Sequence, residues 1–217
     1  MARILIVEDD DATARVFTHV LRNAGHAAFP APTSRAASLA AQAHPDLILL
    51  DLGSPDLSWN DVLWRLKREP ETARIPVVVV SGEPDAANRL PRDAANGAVA
   101  ILRKPVGVVQ LCTVVDLVVE GWETEARRAH GATLTGKVPL DSQQRALLCR
   151  LISRGSHPLV WQVCRRLAAD RMCRREPVRR RALSWSELAS AGQQEGLLNE
   201  GERALLAGRP VPAGAAP

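Results

Sequence analysis

Two short apolar runs end in carboxylates. Ile4-Leu5-Ile6-Val7 leads into Glu8-Asp9-Asp10, and Leu47-Ile48-Leu49-Leu50 leads into Asp51. Two further runs end in groups of another kind: Val77-Val78-Val79-Val80 in Ser81, and Ala98 to Leu102 in Arg103-Lys104-Pro105. Carboxylates, a hydroxyl and an amine delivered at strand tips can share one pocket, and an acidic pocket of this kind can bind a cation. Each group alone has a plainer role. An Asp at a strand end forms turns or caps helices, and an acid in a first helical turn favours the dipole, a role Asp10 or Asp11 fits better than Glu8 or Asp9. Ser81 alone would be a satisfied hydroxyl and Lys104 a solvated charge, so their meaning comes from convergence.

Convergence depends on the elements that carry these residues. Over residues 1 to 121, short β-branched runs alternate with longer Ala- and Leu-rich segments, the pattern of a parallel sheet covered by helices on both faces. Strands are expected at Arg3 to Val7, Ala27 to Pro30, Leu47 to Asp51, Val77 to Ser81 and Ala98 to Leu102. The third and fourth are nearly unbroken apolar runs, as strands buried on both faces require. Helices are expected at about 11–24, 34–43, 59–68, 85–96 and 108–120, with Gly25, His44-Pro45 and Gly97 as stops. In the first, Ala12, Val16, His19, Val20 and Asn23 fall near one face, with Phe17 and Leu21 beside it. Five such units predict an α/β fold with a doubly wound, five-stranded parallel sheet. Ligands of such sheets bind beyond the C-terminal strand ends, where Asp9, Asp51, Ser81 and Lys104 fall.

The second half differs. Residues 1–121 hold 12 Lys or Arg against 15 Asp or Glu, a net of −3, whereas 122–217 hold 16 against 9, a net of +7. An acidic module suited to a cation is thus joined to a basic one suited to an anionic partner. Gly121, Gly131 and Gly136 punctuate a polar stretch that reads as a linker over 122–140. A small all-α region over 141–207 follows. Asp141 caps a helix carrying Leu147, Leu148, Leu151 and Ile152, Pro158 suits a first helical position, and Ser184-Trp185-Ser186-Glu187 fits a capping box. Residues 201–206 add a turn or two, and the Pro-, Ala- and Gly-rich tail from 208 to 217 reads as disordered. Trp161, Trp185, Leu188 and Leu197 read as core.

The arginine clusters at 165–166, 171, 174–175 and 179–181 could track nucleic-acid phosphates or simply form solvated faces. The helix opening at Trp185 carries Glu187 and no Arg or Lys, which is poor material for a recognition helix. Cys112, Cys149, Cys164 and Cys173 form no C-x-x-C pair and read as free thiols in a reducing cytoplasm. No stretch approaches the roughly 18 apolar residues of a membrane span, and the first four-residue apolar run is too short for a signal peptide. A soluble, cytoplasmic protein with no membrane partner is the expectation.

Taken in order, Ile4 to Asp10, Leu47 to Leu52 with Pro55-Asp56, Val77 to Gly82 and Leu102 to Pro105 resemble the receiver domain of bacterial two-component response regulators. The resemblance spans about residues 2–120. It implies the flavodoxin-like receiver fold, with Asp51 as phosphoacceptor and a histidine kinase or phosphotransfer protein as donor. It also implies Mg²⁺ held by Glu8, Asp9, Asp51 and the backbone carbonyl of Gly53. Lys104 would place a point charge on the phosphoryl oxygens and Ser81 would donate its hydroxyl. The chemistry explains the residue types, because a carboxylate nearing an anionic phosphoryl group is repelled unless a cation neutralises the site. By the same resemblance the Lys104-Pro105 bond is expected to be cis, and the chain to be a phosphoacceptor with at most autophosphatase activity, not an enzyme.

Departures concern the output. The family commonly places an aromatic switch residue three positions before Lys104; here Ile101 stands there, and the chain has no Tyr. An isoleucine has a stiff χ1 and no polar tip, which weakens rotation coupled to Ser81. Pro91 would kink the helix expected at 85–96. Three readings follow: a response regulator relaying phosphorylation through 141–207, a phosphorylation-independent interaction module, and a DNA-binding transcription regulator. The second-half partner is accordingly a protein target or nucleic acid, and a homodimer of the chain is a separate expectation.

Overall fold

The computed structural model describes residues 1–53, 59–82, 97–129, 140–152, 157–171 and 183–208. Two compact units divide the chain, Met1–Val119 and Glu120–Pro217. Pro55, Asp56, Pro91, Cys173, the arginines at 174–181 and the tail from 209 lie outside the described residues.

In the first unit five parallel strands, β1 (Arg3–Val7), β2 (Ala27–Ala31), β3 (Leu47–Asp51), β4 (Val77–Ser81) and β5 (Ala100–Arg103), form one sheet in the order β2-β1-β3-β4-β5. The chain steps outward from β1 to β2 and then returns past β1 to β3. The crevice of such a sheet lies where the order reverses, beyond the C-terminal ends of β1 and β3. Register fixes the depth of those ends: Val7 stands opposite Leu50, Asp51 opposite Val80, and Ser81 opposite Arg103. Every residue of β3 and β4 is buried, as their unbroken apolar sequences require.

Strand alternation then sorts the core. Leu5, Val7, Ile48, Leu50, Val77 and Val79 form one cluster with Ala36 and Ala40 of α2 (Ala36–Ala43) and Val62, Leu63 and Leu66 of α3 (Trp59–Arg68). The opposite-facing Ile4, Ile6, Leu49, Val78, Val80 and Leu102 are equally buried, as are Leu21 of α1 (Asp11–Asn23) and Leu111 and Val114 of α4 (Val108–Ala129). His26, in the turn before β2, lies 3.1 Å from Asp116 of α4.

Three local expectations change. The buried face of α1 is Ala14, Phe17, Thr18 and Leu21, whereas Val16 is exposed. Thr18 enters that face because its hydroxyl donates to the Ala14 carbonyl one turn back, at 2.7 Å, and so needs no water. The segment expected as helix 34–43 opens as a 3₁₀ turn, Thr33–Arg35, before α2, and it stops at His44 in the left-handed region, φ 44°. The helix expected to end at 120 runs as α4 to Ala129, through the first part of the expected linker 122–140; its remainder, 130–139, lies outside the described residues. After Gly121 the sequence Trp-Glu-Thr-Glu-Ala-Arg-Arg-Ala contains no Gly or Pro and is rich in good helix formers, so lack of an apolar stripe does not stop it.

The second unit holds α5 (Ser142–Ile152), α6 (Pro158–Arg171), α7 (Trp185–Gln194) and α8 (Glu200–Ala207). Leu148, Ile152, Val163, Leu188 and Leu206 are buried, with Trp185, while Trp161 is half-exposed and so is not the core residue expected. The expected caps form: Asp141 accepts from the Gln144 amide at 2.7 Å, and Ser184 and Glu187 close a capping box. A second capping box was hidden in Asn199-Glu200-Gly201-Glu202, where Gly201 obscures a helix of eight residues. Asn199 accepts from the Glu202 amide and Glu202 from the Asn199 amide, each at 2.9 Å. Asn199→Ala is expected to lower stability by about 1 kcal/mol, read as a lower urea midpoint by Trp fluorescence, and Asn199→Ser to leave the midpoint near wild type.

Candidate functional site

Glu8 follows directly on β1 and Asp51 ends β3, so adjacent strands deliver both into the crevice. Both are buried, at 7% and 8% exposure, which for carboxylates demands compensation. Lys104 supplies it from the end of β5, with its ammonium 2.8 Å from Asp51 Oδ1 and 3.6 Å from Glu8 Oε2. The lysine backbone is held in place by its own amide, which donates to the Ser81 carbonyl at 2.8 Å; the Lys104–Pro105 bond is cis, as expected.

The contact between Lys104 and the two carboxylates is one of charge rather than hydrogen-bond alignment. Among the described residues neither Glu8 Oε2 nor Asp51 Oδ1 receives a well-aligned hydrogen bond, and both atoms are buried. Two buried, under-coordinated carboxylate oxygens facing one pocket are suited to a hard cation. The other Glu8 oxygen accepts from the Asp10 amide at 3.0 Å, which fixes the side chain. Burial pushes the Glu8 carboxyl above its ordinary range; the Asp10 amide opposes this, the negative charge of Asp51 adds to it, and Lys104 pulls it back.

The three acids after β1 have separate tasks. Asp10 caps α1 by accepting from the Thr13 amide at 2.7 Å, which holds its carboxyl below the usual value. Asp9, expected among the metal ligands, is exposed, and its Oδ1 accepts from the backbone amide of Thr33 at 2.8 Å. As placed, no three His, Cys, Asp or Glu side chains among the described residues stand close enough to hold one metal ion. The site thus brings together Glu8, Asp51 and Lys104, with Asp9 beside them but turned to the β2–α2 connection.

Gly53 and Ser81 border this set. A Cβ built on Gly53 would stand 2.7 Å from Asp51 Oδ2, so the carboxylate occupies space that a side chain at 53 would take. Ser81 is 1% exposed at the tip of β4. Ile101, opposite Val79, packs partly buried against the cluster under α2 and α3. Thr33 escaped notice in the sequence because its contribution is a backbone amide, for which no residue type is a signal.

A five-stranded parallel sheet of this order, with two carboxylates and a lysine at its switch point, defines the flavodoxin-like receiver class of signalling domain. The family described as response regulator receiver domain matches residues 4–116, just over half of the chain. The chain belongs to that family and carries the receiver domain of a two-component response regulator. It is 31% identical over 122 residues to the protein PilH of Pseudomonas aeruginosa, covering 56% of this chain and 100% of PilH. It is 35% identical over 112 residues to the KDP operon transcriptional regulatory protein KdpE of Escherichia coli, covering 51% of this chain and 48% of KdpE. A response regulator receiver domain protein from Clostridium thermocellum shares the fold, with a TM-score of 0.50 at 21% identity over 59% of this chain and 99% of that one. The chain therefore spans all of PilH but about half of KdpE. Among the described residues no helix is long and apolar enough to cross a membrane.

A raised carboxyl means that the fold favours protonated Glu8, so ionising it costs stability as pH rises above the ordinary value of 4.5. Glu8→Gln removes that cost. In the presence of a chelator the variant is expected to have a higher Tm than wild type at pH 7, with a difference that shrinks as pH falls and disappears below 4.5. Equal Tm values across this range in calorimetry would refute the assignment of strain to Glu8.

Proposed function

We propose that the chain is a phosphoacceptor that takes a phosphoryl group onto Asp51 from a phosphohistidine of a histidine kinase or phosphotransfer protein. The observation that carries this reading is the buried Asp51 carboxylate, 2.8 Å from Lys104, with an oxygen left without an aligned donor. Asp51 attacks phosphorus, a carboxylate O–P bond forms, and the P–N bond of the donor breaks with its electron pair passing to the imidazole. Lys104, already within contact distance of Asp51, is placed to meet the charge of the incoming phosphoryl oxygens. Ser81, at the tip of the next strand, is the hydroxyl donor in this scheme.

Glu8, Asp51 and, once turned inward, Asp9 would hold Mg²⁺ with the Gly53 carbonyl, and Mg²⁺ would neutralise the repulsion between nucleophile and phosphoryl group. The two under-coordinated oxygens support this donor set.

The helical unit from 141 to 207 is then the part that passes the state on. Ile101 has no polar tip and is already packed against the sheet, which favours a route other than an aromatic rotation. A DNA-binding output gains little from α7, which carries no Lys or Arg and spends Glu187 on its own N-terminus. Incubation with acetyl phosphate and Mg²⁺ is expected to add the mass of one phosphoryl group to the intact chain. Asp51→Ala and addition of EDTA are each expected to abolish that gain; an undiminished gain in Asp51→Ala would overturn the assignment.

A further inference from the structure

The division of labour among the three acids after β1 leaves one contact that local structure does not require. Glu8 is fixed by the Asp10 amide and Asp10 by the Thr13 amide, both within three residues, whereas Asp9 reaches 24 residues along the chain to the Thr33 amide. That amide opens the 3₁₀ turn Thr33–Arg35. The N-cap of this turn is Pro32, which makes no side-chain capping bond, so Asp9 acts as the cap from the connection between β1 and α1. Thr33 is buried, so its N–H has little access to water if Asp9 leaves.

We propose that the Thr33 amide is a positioning group for Asp9, holding its carboxylate out of the pocket until a divalent cation draws it in. Cation occupancy is thereby coupled to release of the turn that opens α2. This rests on the metal reading of the site given above. The neighbouring acids are independent of the exchange: the Glu8 amide bonds to the Ala31 carbonyl at 3.1 Å and Asp10 caps α1, so β1 and α1 stay in place while the turn loses its cap. Mechanically the signal enters the segment that carries Ala36 and Ala40, which pack in the same cluster as Ile101. The coupling also opposes cation binding, because the bond to Thr33 must be given up first. A net hydrogen-bond contribution of about 1 kcal/mol corresponds to an affinity reduced about fivefold.

The test uses the full chain without a phosphodonor. Calorimetric titration with MgCl₂ is expected to show saturable binding that Asp51→Ala weakens, and hydrogen exchange at the Thr33 amide is expected to accelerate on saturation. Thr33→Pro deletes the donor, and the backbone accepts it, because Pro32 already has φ −69° and ψ 153°, suited to a residue before proline. This variant is expected to bind Mg²⁺ about fivefold more tightly than wild type, and Thr33→Val, which keeps the amide, to bind as wild type does. Unchanged or slower exchange at Thr33 on saturation, or equal or weaker binding by Thr33→Pro, overturns the coupling and leaves the metal site standing. Absence of saturable Mg²⁺ binding to wild type overturns both. The exchange measurement needs no variant, so a misfolded Thr33→Pro would not protect the proposal.

Discussion

One ammonium facing two buried carboxylates is the constraint around which this site is built. Glu8 and Asp51 leave adjacent strands at the same depth, and burial there would be prohibitive for like charges without Lys104 between them. Removing the lysine would leave both carboxylates without it, and loss of the compensating partner from a buried ionic set commonly costs about 3–5 kcal/mol. Lys104 can serve because its backbone is locked to the Ser81 carbonyl at the edge of the β4–β5 ladder. The compensation is incomplete all the same: an oxygen of each carboxylate lacks an aligned donor, and the Glu8 carboxyl is pushed upward. A site left short of positive charge in this way is prepared for more of it.

The sheet makes that shortage affordable. β3 and β4 are buried along their whole lengths, and the apolar clusters on the two sheet faces hold the strand tips rigidly in register. Binding groups on rigid strand ends need not be ordered anew when a ligand arrives, which is why such crevices are used for recognition. Beside this frame sits a group bonded elsewhere. Asp9 is exposed, and its Oδ1 accepts from the Thr33 amide in the turn that opens α2. Asp51 and Lys104 thus stand on strand ends of the sheet, whereas Asp9 bonds to the turn that opens α2.

Much of this was legible in the chain of residues. β1, β3 and β4 have the ranges expected of them, and the carboxylates, serine and lysine lie at the tips the pattern assigns. Capping motifs placed helix starts well, as at Asp141, Pro158 and Ser184. Periodicity was less reliable for facing: the buried face of α1 includes Thr18, a residue whose hydroxyl is satisfied only through the helix itself, and excludes Val16. The stretch after Gly121 was misread because polarity without a stripe resembles a linker, although its composition favours helix. Trp161 was misassigned for the simpler reason that aromatic size does not reveal which side of a helix meets the core.

The sequence by itself determined the order of strands and helices, the end of the sheet at which the reactive groups gather, and the identity of those groups. These follow from local rules, since strand alternation, capping and chain reversal depend on residues within a few positions of one another. Tertiary structure decided which carboxylate faces which partner. Glu8 rather than Asp9 turns to Asp51 and Lys104, and Asp9 turns to Thr33, because a side chain at a strand tip takes the rotamer set by neighbours brought from β3, β5 and the turn after β2. Those neighbours lie tens of residues away, and the group that holds Asp9 is a backbone amide, which every residue but proline possesses and which no sequence pattern can mark.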